Sequence, residues 1–259
     1  MTAAGTITLE RVELDGPAGR LWGEIWRPAG AERQPAVIWN HGSRGRARGL
    51  QAPATGAATA LRAWLSLGVA VFAPSRRGYD GAEGEELIEA LGEAPPDSAA
   101  YGRRMVARME SETEDVLAAL DFLAAQPWVE PARLVCSGYS LGAIVTLLAL
   151  SRTRAPAAGV AFALGAILWP TSEPVRRLIL ETAENVDAPL MLVHARNDFS
   201  VDPARALESV LARRNPLSRV AIYPPVGDGP DDGHVFCTLG ADQWAPDVER
   251  FLADAHVLD

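Results

Sequence analysis

Residues 138–142, Gly-Tyr-Ser-Leu-Gly, have the spacing G-x-S-x-G, which can present a serine as a nucleophile. An apolar run at 134–136 precedes this pentapeptide, and a longer one at 144–150 follows it. This is the strand–turn–helix context in which the pattern indicates an exposed serine on a tight turn. The glycines on both sides of the serine fit a turn that has no room for side chains. The helix predicted after the turn would place its N-terminus beside the serine, where the helix dipole favours developing negative charge. We therefore predict that Ser140 is a nucleophile.

A serine nucleophile needs a base, because its hydroxyl is a weak nucleophile near neutral pH. The candidates are His41, His194, His234 and His256. His256 is predicted in the terminal helix, whereas His194 ends a strand and His41 begins a loop, positions that favour structural roles. His234 lies in a predicted flexible loop between the last strand and the last helix. A base there can swing between nucleophile and leaving group, so we predict that His234 is the general base.

The base in turn needs a carboxylate that fixes its tautomer and stabilises the imidazolium. Asp198 follows a predicted strand at 190–194 by a short turn, which places it at the same edge of the sheet as Ser140. Asp202 is the alternative, although its position also suits a helix N-cap. Asp187 precedes the strand and belongs at the opposite end. We predict that Asp198 is the acid.

Acyl transfer also requires two hydrogen-bond donors for the developing oxyanion. One is the backbone N–H of Leu141, the residue after the nucleophile. The other is expected from the loop at 40–45, where Gly42 and Gly45 let the backbone approach a substrate closely. We assign this second donor to Ser43, with Arg44 as the alternative.

Arginines next to these segments suggest how a substrate is recognised. Arg44 and two further arginines follow the predicted oxyanion loop, and Arg76 and Arg77 follow the next strand. Arginine presents a planar fork suited to a carboxylate. We therefore expect Arg44, Arg76, Arg77 and Tyr139 to contact substrate, with preference for a carboxylate-bearing ester. The alternative is that these arginines are solvated or tie down acidic residues of the neighbouring loop.

Hydrophobic periodicity predicts the elements that position these residues. An antiparallel hairpin over 7–26 is followed by strands at 36–39, 69–73, 134–137, 160–168, 190–194 and 219–223. Helices are predicted at 59–67, 112–125, 203–213 and 246–256. This alternation predicts an α/β fold with a mostly parallel sheet and helices on both faces. We expect one domain over 1–259. An irregular segment at about 75–104 is either an inserted cover over the site or a plain surface excursion.

Composition excludes several other classes of protein. A net charge of −9 argues against a nucleic-acid or anionic-membrane partner. All 24 Lys and Arg residues are arginine, so Schiff-base chemistry and the P-loop lysine are excluded. The histidine spacings match no metal motif, so no metal is expected. Cys136 and Cys237 are expected to be buried or idle, and the lack of a signal or membrane segment predicts a cytoplasmic protein.

Five spans together resemble the α/β-hydrolase superfamily, and within it are most similar to the dienelactone-hydrolase-like and prolyl-oligopeptidase-like branch. They are 37–43, 73–79, 138–142, 193–198 and 233–236. The chain order Ser140, Asp198, His234 is also that of α/β-hydrolases. The resemblance implies an eight-stranded sheet, a Ser-His-Asp triad and no cofactor. Two positions depart from the family: dienelactone hydrolases use a cysteine nucleophile, and Ala143 stands where a further glycine is frequent.

These observations predict a serine esterase that acts on a small or medium carboxylic ester or thioester. Acyl transfer to an alcohol or amine through the same acyl-enzyme stays open, as does a small peptidase. The alternative outside the enzymes is a non-catalytic binding module. The intact set of Ser140, Asp198 and His234 argues against it. The expected partners are a small-molecule ester and, as an option, a second copy of the chain in a homodimer.

Overall fold

A computed structural model describes residues 6–30, 33–43 and 58–259. Within these residues, eight strands form one sheet. The strands, in chain order, are β1 (Ile7–Gly16), β2 (Gly19–Pro28), β3 (Gln34–Asn40), β4 (Ala70–Ser75), β5 (Val129–Tyr139), β6 (Ala158–Phe162), β7 (Leu190–Ala195) and β8 (Arg219–Tyr223).

Nine helices occur in the same described part of the chain. They are α1 (Ala58–Ser66), α2 (Leu87–Leu91), α3 (Ala99–Ala124), α4 (Leu141–Arg152), α5 (Glu173–Ala183), α6 (Asp202–Arg214), α7 (Pro230–His234), α8 (Phe236–Leu239) and α9 (Ala241–Asp254).

The sheet has the strand order β1-β2-β4-β3-β5-β6-β7-β8. Strand β2 pairs antiparallel with β1 and β4, and every pairing from β4 onward is parallel. The chain therefore moves outward in one direction from β3 to β4 and then returns to place β5 on the other side of β3. Ligands of open α/β sheets bind at such a switch point, outside the carboxyl ends of the strands. The predicted mostly parallel α/β sheet with an N-terminal hairpin is confirmed.

Two apolar cores lie against the two faces of the sheet. One contains the buried side chains of α3 to α6, and the other contains those of α1, α8 and α9. The central strands are buried on both faces, and every residue of β3 and β7 is buried. This explains why their sequences are continuously apolar rather than alternating. A sheet packed on both sides holds its carboxyl edge rigidly, and the loops at that edge carry the candidate site.

Several predicted elements have different limits in the structure. The strand predicted at 160–168 ends at Phe162, because Ala163 and Gly165 adopt positive φ angles of 54° and 68° that no strand accommodates. The helix predicted at 246–256 begins five residues earlier, at Ala241, so Pro246 lies inside it. The backbone N–H groups of residues 243 and 244 already bond to the carbonyl of Gly240, which starts the helix there.

The helix predicted at 112–125 is α3, which begins much earlier, at Ala99. Ser98 caps it, since its side-chain oxygen accepts the backbone N–H of Tyr101 at 3.1 Å. The irregular segment predicted at 75–104 therefore contains α2 and the first residues of α3. Its function as an inserted cover stays a prediction.

Candidate active site

The turn between β5 and α4 holds Ser140 in a conformation unusual for a residue with a side chain. Its φ is 56° and its ψ is −120°. The backbone N–H of Ser140 donates to the carbonyl of Phe162 at 2.9 Å, and its own carbonyl accepts the N–H of Ala143 at 3.0 Å. Such strain persists only where the surroundings impose it, and it is frequent at functional sites. The turn projects Ser140 from the carboxyl edge of the sheet.

The glycines at 138 and 142 are required by close backbone contacts. A Cβ on Gly138 would lie 2.5 Å from the carbonyl oxygen of Gly142. A Cβ on Gly142 would overlap the carbonyl oxygen of Asn40 and lie 2.5 Å from that of His41. The end of β3 therefore packs directly against the start of α4, which brings the loop after β3 next to Ser140.

We expect Gly142→Ala to destabilise the fold, because the methyl group overlaps backbone atoms that cannot rotate away. Overpacking of this kind costs about 1–3 kcal/mol or more. Gly229→Ala is the matched control, since a Cβ there meets nothing within 4 Å. Urea denaturation should show the loss for Gly142→Ala only. Equal stability of the two variants would contradict the close contact between β3 and α4.

The structure brings the three predicted catalytic side chains together in one hydrogen-bonded row. His234 Nε2 lies 2.9 Å from Ser140 Oγ, and His234 Nδ1 lies 2.8 Å from Asp198 Oδ1. A carboxylate can only accept, so Nδ1 carries the proton and Nε2 is free to accept from the serine hydroxyl. The side chain of Asp198 is fully buried. This arrangement can deprotonate Ser140 as its oxygen attacks a carbonyl carbon.

His234 lies at the end of the short helix α7 rather than in the flexible loop predicted from the sequence. Asn197 supports this segment: its Nδ2 donates to the carbonyls of Val226 and Gly229 at 2.7 and 2.8 Å. A Cβ on Gly233 would lie only 2.6 Å from the backbone nitrogen of Asp198. The segments that carry Asp198 and His234 are thus in direct backbone contact.

Asp198 is bound on both carboxylate oxygens. Oδ1 accepts the backbone N–H of Phe199 at 2.8 Å as well as His234, and Oδ2 lies 3.2 Å from Nδ1 of His194. Burial by itself would raise the pKa of Asp198, but the hydrogen bonds and charges of His194 and His234 outweigh it and lower the pKa. The carboxylate is therefore ionised at neutral pH.

The contact between His194 and Asp198 was missed from the sequence. His194 was placed at a strand end with a structural role, without a partner. Its side chain is fully buried in β7, and its Nε2 has no hydrogen-bond partner among the described residues. One feature of the sequence could have indicated this contact: His194 lies at the end of the strand that Asp198 follows by a short turn. His194 contacts the carboxylate oxygen of Asp198 that His234 does not contact.

The alternative acid and the other histidine lie away from this row. Asp202 begins α6, is exposed and pairs with Arg205 at 3.5 Å. Asp187 is partly exposed and pairs with Arg154 and Arg214. His256 is exposed just after α9, with a φ of 58°. Among the three predicted aspartates, only Asp198 contacts a histidine in the described residues.

A cavity of about 1020 Å³ opens beside Ser140. Ser43 and Leu141, whose N–H groups are the predicted oxyanion donors, both line it. Leu141 is the first residue of α4, and the first N–H groups of a helix have no partner within it. The other lining residues are mostly apolar and come from 78–80, from 86–96, from the first turns of α3, from α4 and from 165–168. Among the described lining residues the charged ones are acidic: Asp80, Glu86 and Glu93.

The structure does not place Arg76 and Arg77 at this cavity, which corrects the predicted substrate contacts. Arg76 is buried and donates from Nε to Glu112 at 2.5 Å. Arg77 is held by both oxygens of Asp115, at 2.9 Å from Nε and 2.7 Å from Nη2. Both carboxylates belong to α3, which covers this side of the sheet. The guanidinium groups are neutralised inside the protein rather than presented to a ligand.

Tyr139 stacks on Trp39, and its ring centroid lies 6.4 Å from that of His234. A Cβ on Gly42 would lie 2.8 Å from the Tyr139 ring, so this ring packs against the oxyanion loop. It is not among the described lining residues of the cavity, and a substrate contact stays a prediction. Arg44, the remaining candidate, lies outside the described residues.

Both cysteines are buried, Cys136 in β5 and Cys237 in α8. Burial raises the pKa of each thiol to about 12, so neither is a thiolate at neutral pH. Residues 6–30, 33–43 and 58–259 contain no group of three or more His, Cys, Asp or Glu placed to hold a metal ion. In the same ranges no helix is long and apolar enough to cross a bilayer.

Solved structures with this architecture include esterases. An esterase of Pyrococcus furiosus superposes with a TM-score of 0.68 at 18% identity, covering 96% of this chain and 91% of that one. A cold-adapted esterase from an Arctic intertidal metagenomic library superposes with a TM-score of 0.63 at 15% identity, covering 95% and 94%. At these identities the likeness shows the fold.

Proteins related in sequence have higher identity to this chain than these esterases, but over shorter stretches. An uncharacterised protein of Mycobacterium tuberculosis is 32% identical over 160 residues, which are 56% of this chain and 53% of the relative. A polyketide transferase of Stachybotrys chlorohalonatus is 31% identical over 119 residues, 46% of this chain and 30% of that protein. The matches thus span about half of the first relative and less of the second. The model of the dienelactone hydrolase family matches residues 24–238, so the chain belongs to this family.

Proposed function

We propose that this protein is a serine hydrolase that cleaves a carboxylic ester or thioester through an acyl-enzyme. The observation that carries the proposal is the hydrogen-bonded row from Ser140 through His234 to Asp198, with distances of 2.9 and 2.8 Å, at the edge of the cavity. Membership of the dienelactone hydrolase family supports hydrolytic chemistry at this position.

In the proposed reaction, Ser140 Oγ attacks the carbonyl carbon while its proton passes to His234 Nε2. The ionised carboxylate of Asp198 stabilises the resulting imidazolium. The backbone N–H groups of Ser43 and Leu141 bind the oxyanion of the tetrahedral intermediate. His234 then protonates the departing alkoxide or thiolate. A water molecule, deprotonated by His234, attacks the acyl-enzyme and releases the acid and Ser140.

The cavity supports an ester with an apolar acyl or alcohol part. Apolar side chains such as Leu91, Met105 and Ile144 line it, and burying such a group against them contributes about 25 cal/mol per Å². Because the charged lining residues among those described are acidic, they favour a neutral ester over an anionic one. Preference for a carboxylate-bearing ester therefore rests on Arg44 alone and stays a prediction.

Labelling with a fluorophosphonate tests the proposal directly. Such probes phosphonylate a serine that a base activates, so we expect one label per chain, located at Ser140 by peptide mass spectrometry. The labelled protein should lose hydrolysis of p-nitrophenyl butyrate in proportion to labelling. Absence of labelling, together with absence of hydrolysis, would favour a non-catalytic binding module.

Acyl transfer is the second candidate, and the similarity to a polyketide transferase favours it. The same acyl-enzyme would pass its acyl group to an alcohol or amine in place of water. Adding an acceptor alcohol to the ester assay separates the two reactions. A new ester among the products indicates transfer, whereas the free acid as sole product indicates hydrolysis.

A further inference from the structure

A buried cluster of charged side chains lies behind the loop that carries Ser43. Arg76 and Arg108 are 1% and 3% exposed, and Glu112 is fully buried between them. Glu112 accepts from Arg76 Nε at 2.5 Å and from Arg108 Nε at 2.6 Å. A buried ion pair gives little net stability compared with apolar residues of similar volume. The cluster is therefore better explained by the groups that it holds in place than by a contribution to the free energy of unfolding.

Arg76 extends the cluster to the oxyanion loop through His41. Its Nη2 donates to the carbonyl oxygen of His41 at 2.7 Å, and its backbone N–H lies 3.4 Å from His41 Nε2. The other ring nitrogen, Nδ1, lies 2.8 Å from the carbonyl oxygen of Gly42. A carbonyl only accepts, so the short contact with Gly42 places the proton on Nδ1 and makes Nε2 the acceptor. Arg76 Nη2 also lies 3.4 Å from Nδ1, but its short bond goes to the carbonyl of His41. The ring also packs edge-on against Tyr79, with centroids 4.6 Å apart.

The bond to Gly42 has a geometric consequence for the next residue. The carbonyl of Gly42 and the N–H of Ser43 belong to one peptide unit, which is planar and trans. In such a unit the C=O and N–H point in opposite directions. When His41 holds the carbonyl of Gly42, it also sets the direction of the Ser43 N–H. That N–H is the proposed oxyanion donor.

We propose that His41 and the Arg76–Glu112 pair are positioning residues that orient the Ser43 N–H toward the oxyanion. This inference rests on the proposed function and goes beyond it, since none of the three side chains touches the reacting atoms. Removing an oxyanion donor lowers kcat about 100- to 1000-fold. Misorienting the donor should lower kcat at least about tenfold and leave KM nearly unchanged, because the oxyanion exists only in the transition state and intermediates.

The test compares His41→Phe and Glu112→Gln with Asp115→Asn. Asp115 is a buried carboxylate on the same helix, but its oxygens bind Arg77 rather than the His41 branch. We expect His41→Phe and Glu112→Gln to lose at least tenfold in kcat with KM within about threefold of the parent. Asp115→Asn should stay within threefold in both. The double variant His41→Phe/Glu112→Gln should lose little more than the larger single loss, since both act through one peptide.

A second readout separates positioning from a merely structural effect. A boronic acid that forms a tetrahedral adduct with a catalytic serine reports on the oxyanion site directly. Its inhibition constant should weaken by the same factor as kcat/KM in His41→Phe and Glu112→Gln, and not in Asp115→Asn. Thermal melting monitors folding. If Glu112→Gln does not fold, His41→Phe decides the matter, because it leaves every buried ion pair intact.

Three results would overturn the inference while leaving the proposed function standing. These are parental kcat in His41→Phe, a loss in Asp115→Asn equal to that in Glu112→Gln, and unchanged boronic acid affinity in variants that have lost kcat. A parent protein that hydrolyses no ester and binds no boronic acid would overturn both the proposed function and this inference.

Discussion

Ser140→Ala is expected to lower kcat for ester hydrolysis on the order of a million-fold, the loss seen when the nucleophile of a Ser-His-Asp triad is removed. The change deletes one oxygen, whose partner is His234 Nε2 at 2.9 Å. The backbone hydrogen bond from residue 140 to Phe162 does not involve the side chain and should persist. The melting temperature should therefore stay close to that of the parent.

Ser151→Ala is the matched control for this loss. Ser151 lies in the last turns of α4, and its hydroxyl donates to the carbonyl of Leu148 at 2.8 Å. We expect hydrolysis of p-nitrophenyl acetate and butyrate by Ser151→Ala to equal that of the parent. Activity of Ser140→Ala within tenfold of the parent would show that another residue is the nucleophile.

Asp198→Asn is expected to lower kcat about ten-thousand-fold, because an amide in place of the carboxylate favours the wrong tautomer of the base. In the parent, the ionised carboxylate accepts from His234 Nδ1 at 2.8 Å. The asparagine amide group can present a donor there, so Nδ1 would accept and Nε2 would carry the proton. His234 would then be unable to deprotonate Ser140.

Asp202→Asn is the control, since Asp202 is exposed and pairs with Arg205 on the first turn of α6. Its kcat should lie within about twofold of the parent value. Steady-state kinetics on both variants, with melting temperatures alongside, gives the ranking. The reverse ranking would transfer the role of the acid from Asp198 to Asp202.

Much of the fold follows from local patterns along the chain. Continuous apolar runs predict strands buried on both faces, and the runs at 36–39 and 190–194 correspond to the fully buried strands β3 and β7. The G-x-S-x-G spacing around Ser140 is also a local pattern, although the backbone atoms that require glycine at 142 belong to the end of β3, far away in sequence. Limits of elements were less predictable: the start of α3 at Ala99 depends on the cap at Ser98, which lies in a stretch rich in glycine and proline.

Partners of the charged residues were not predictable in the same way. Arg76 and Arg77 follow β4 at the carboxyl edge of the sheet, a position that suits ligand contact. Their carboxylate partners, Glu112 and Asp115, come from α3 more than thirty residues later in the chain. The contact of His194 with Asp198 likewise depends on the turn after β7 that brings the two side chains together.

The sequence by itself determined the strand–turn–helix context of Ser140, the mostly parallel sheet and the chain order of Ser140, Asp198 and His234, the proposed nucleophile, acid and base. These depend on local conformational preferences and on hydrophobic periodicity, which act between near neighbours. The tertiary structure decided which carboxylate meets which histidine or arginine, and which N–H groups line the cavity. The sequence contains many residues of opposite charge that could pair with any one charged side chain. Only the packing of α3 and of the loops against the sheet brings one of them within hydrogen-bond distance.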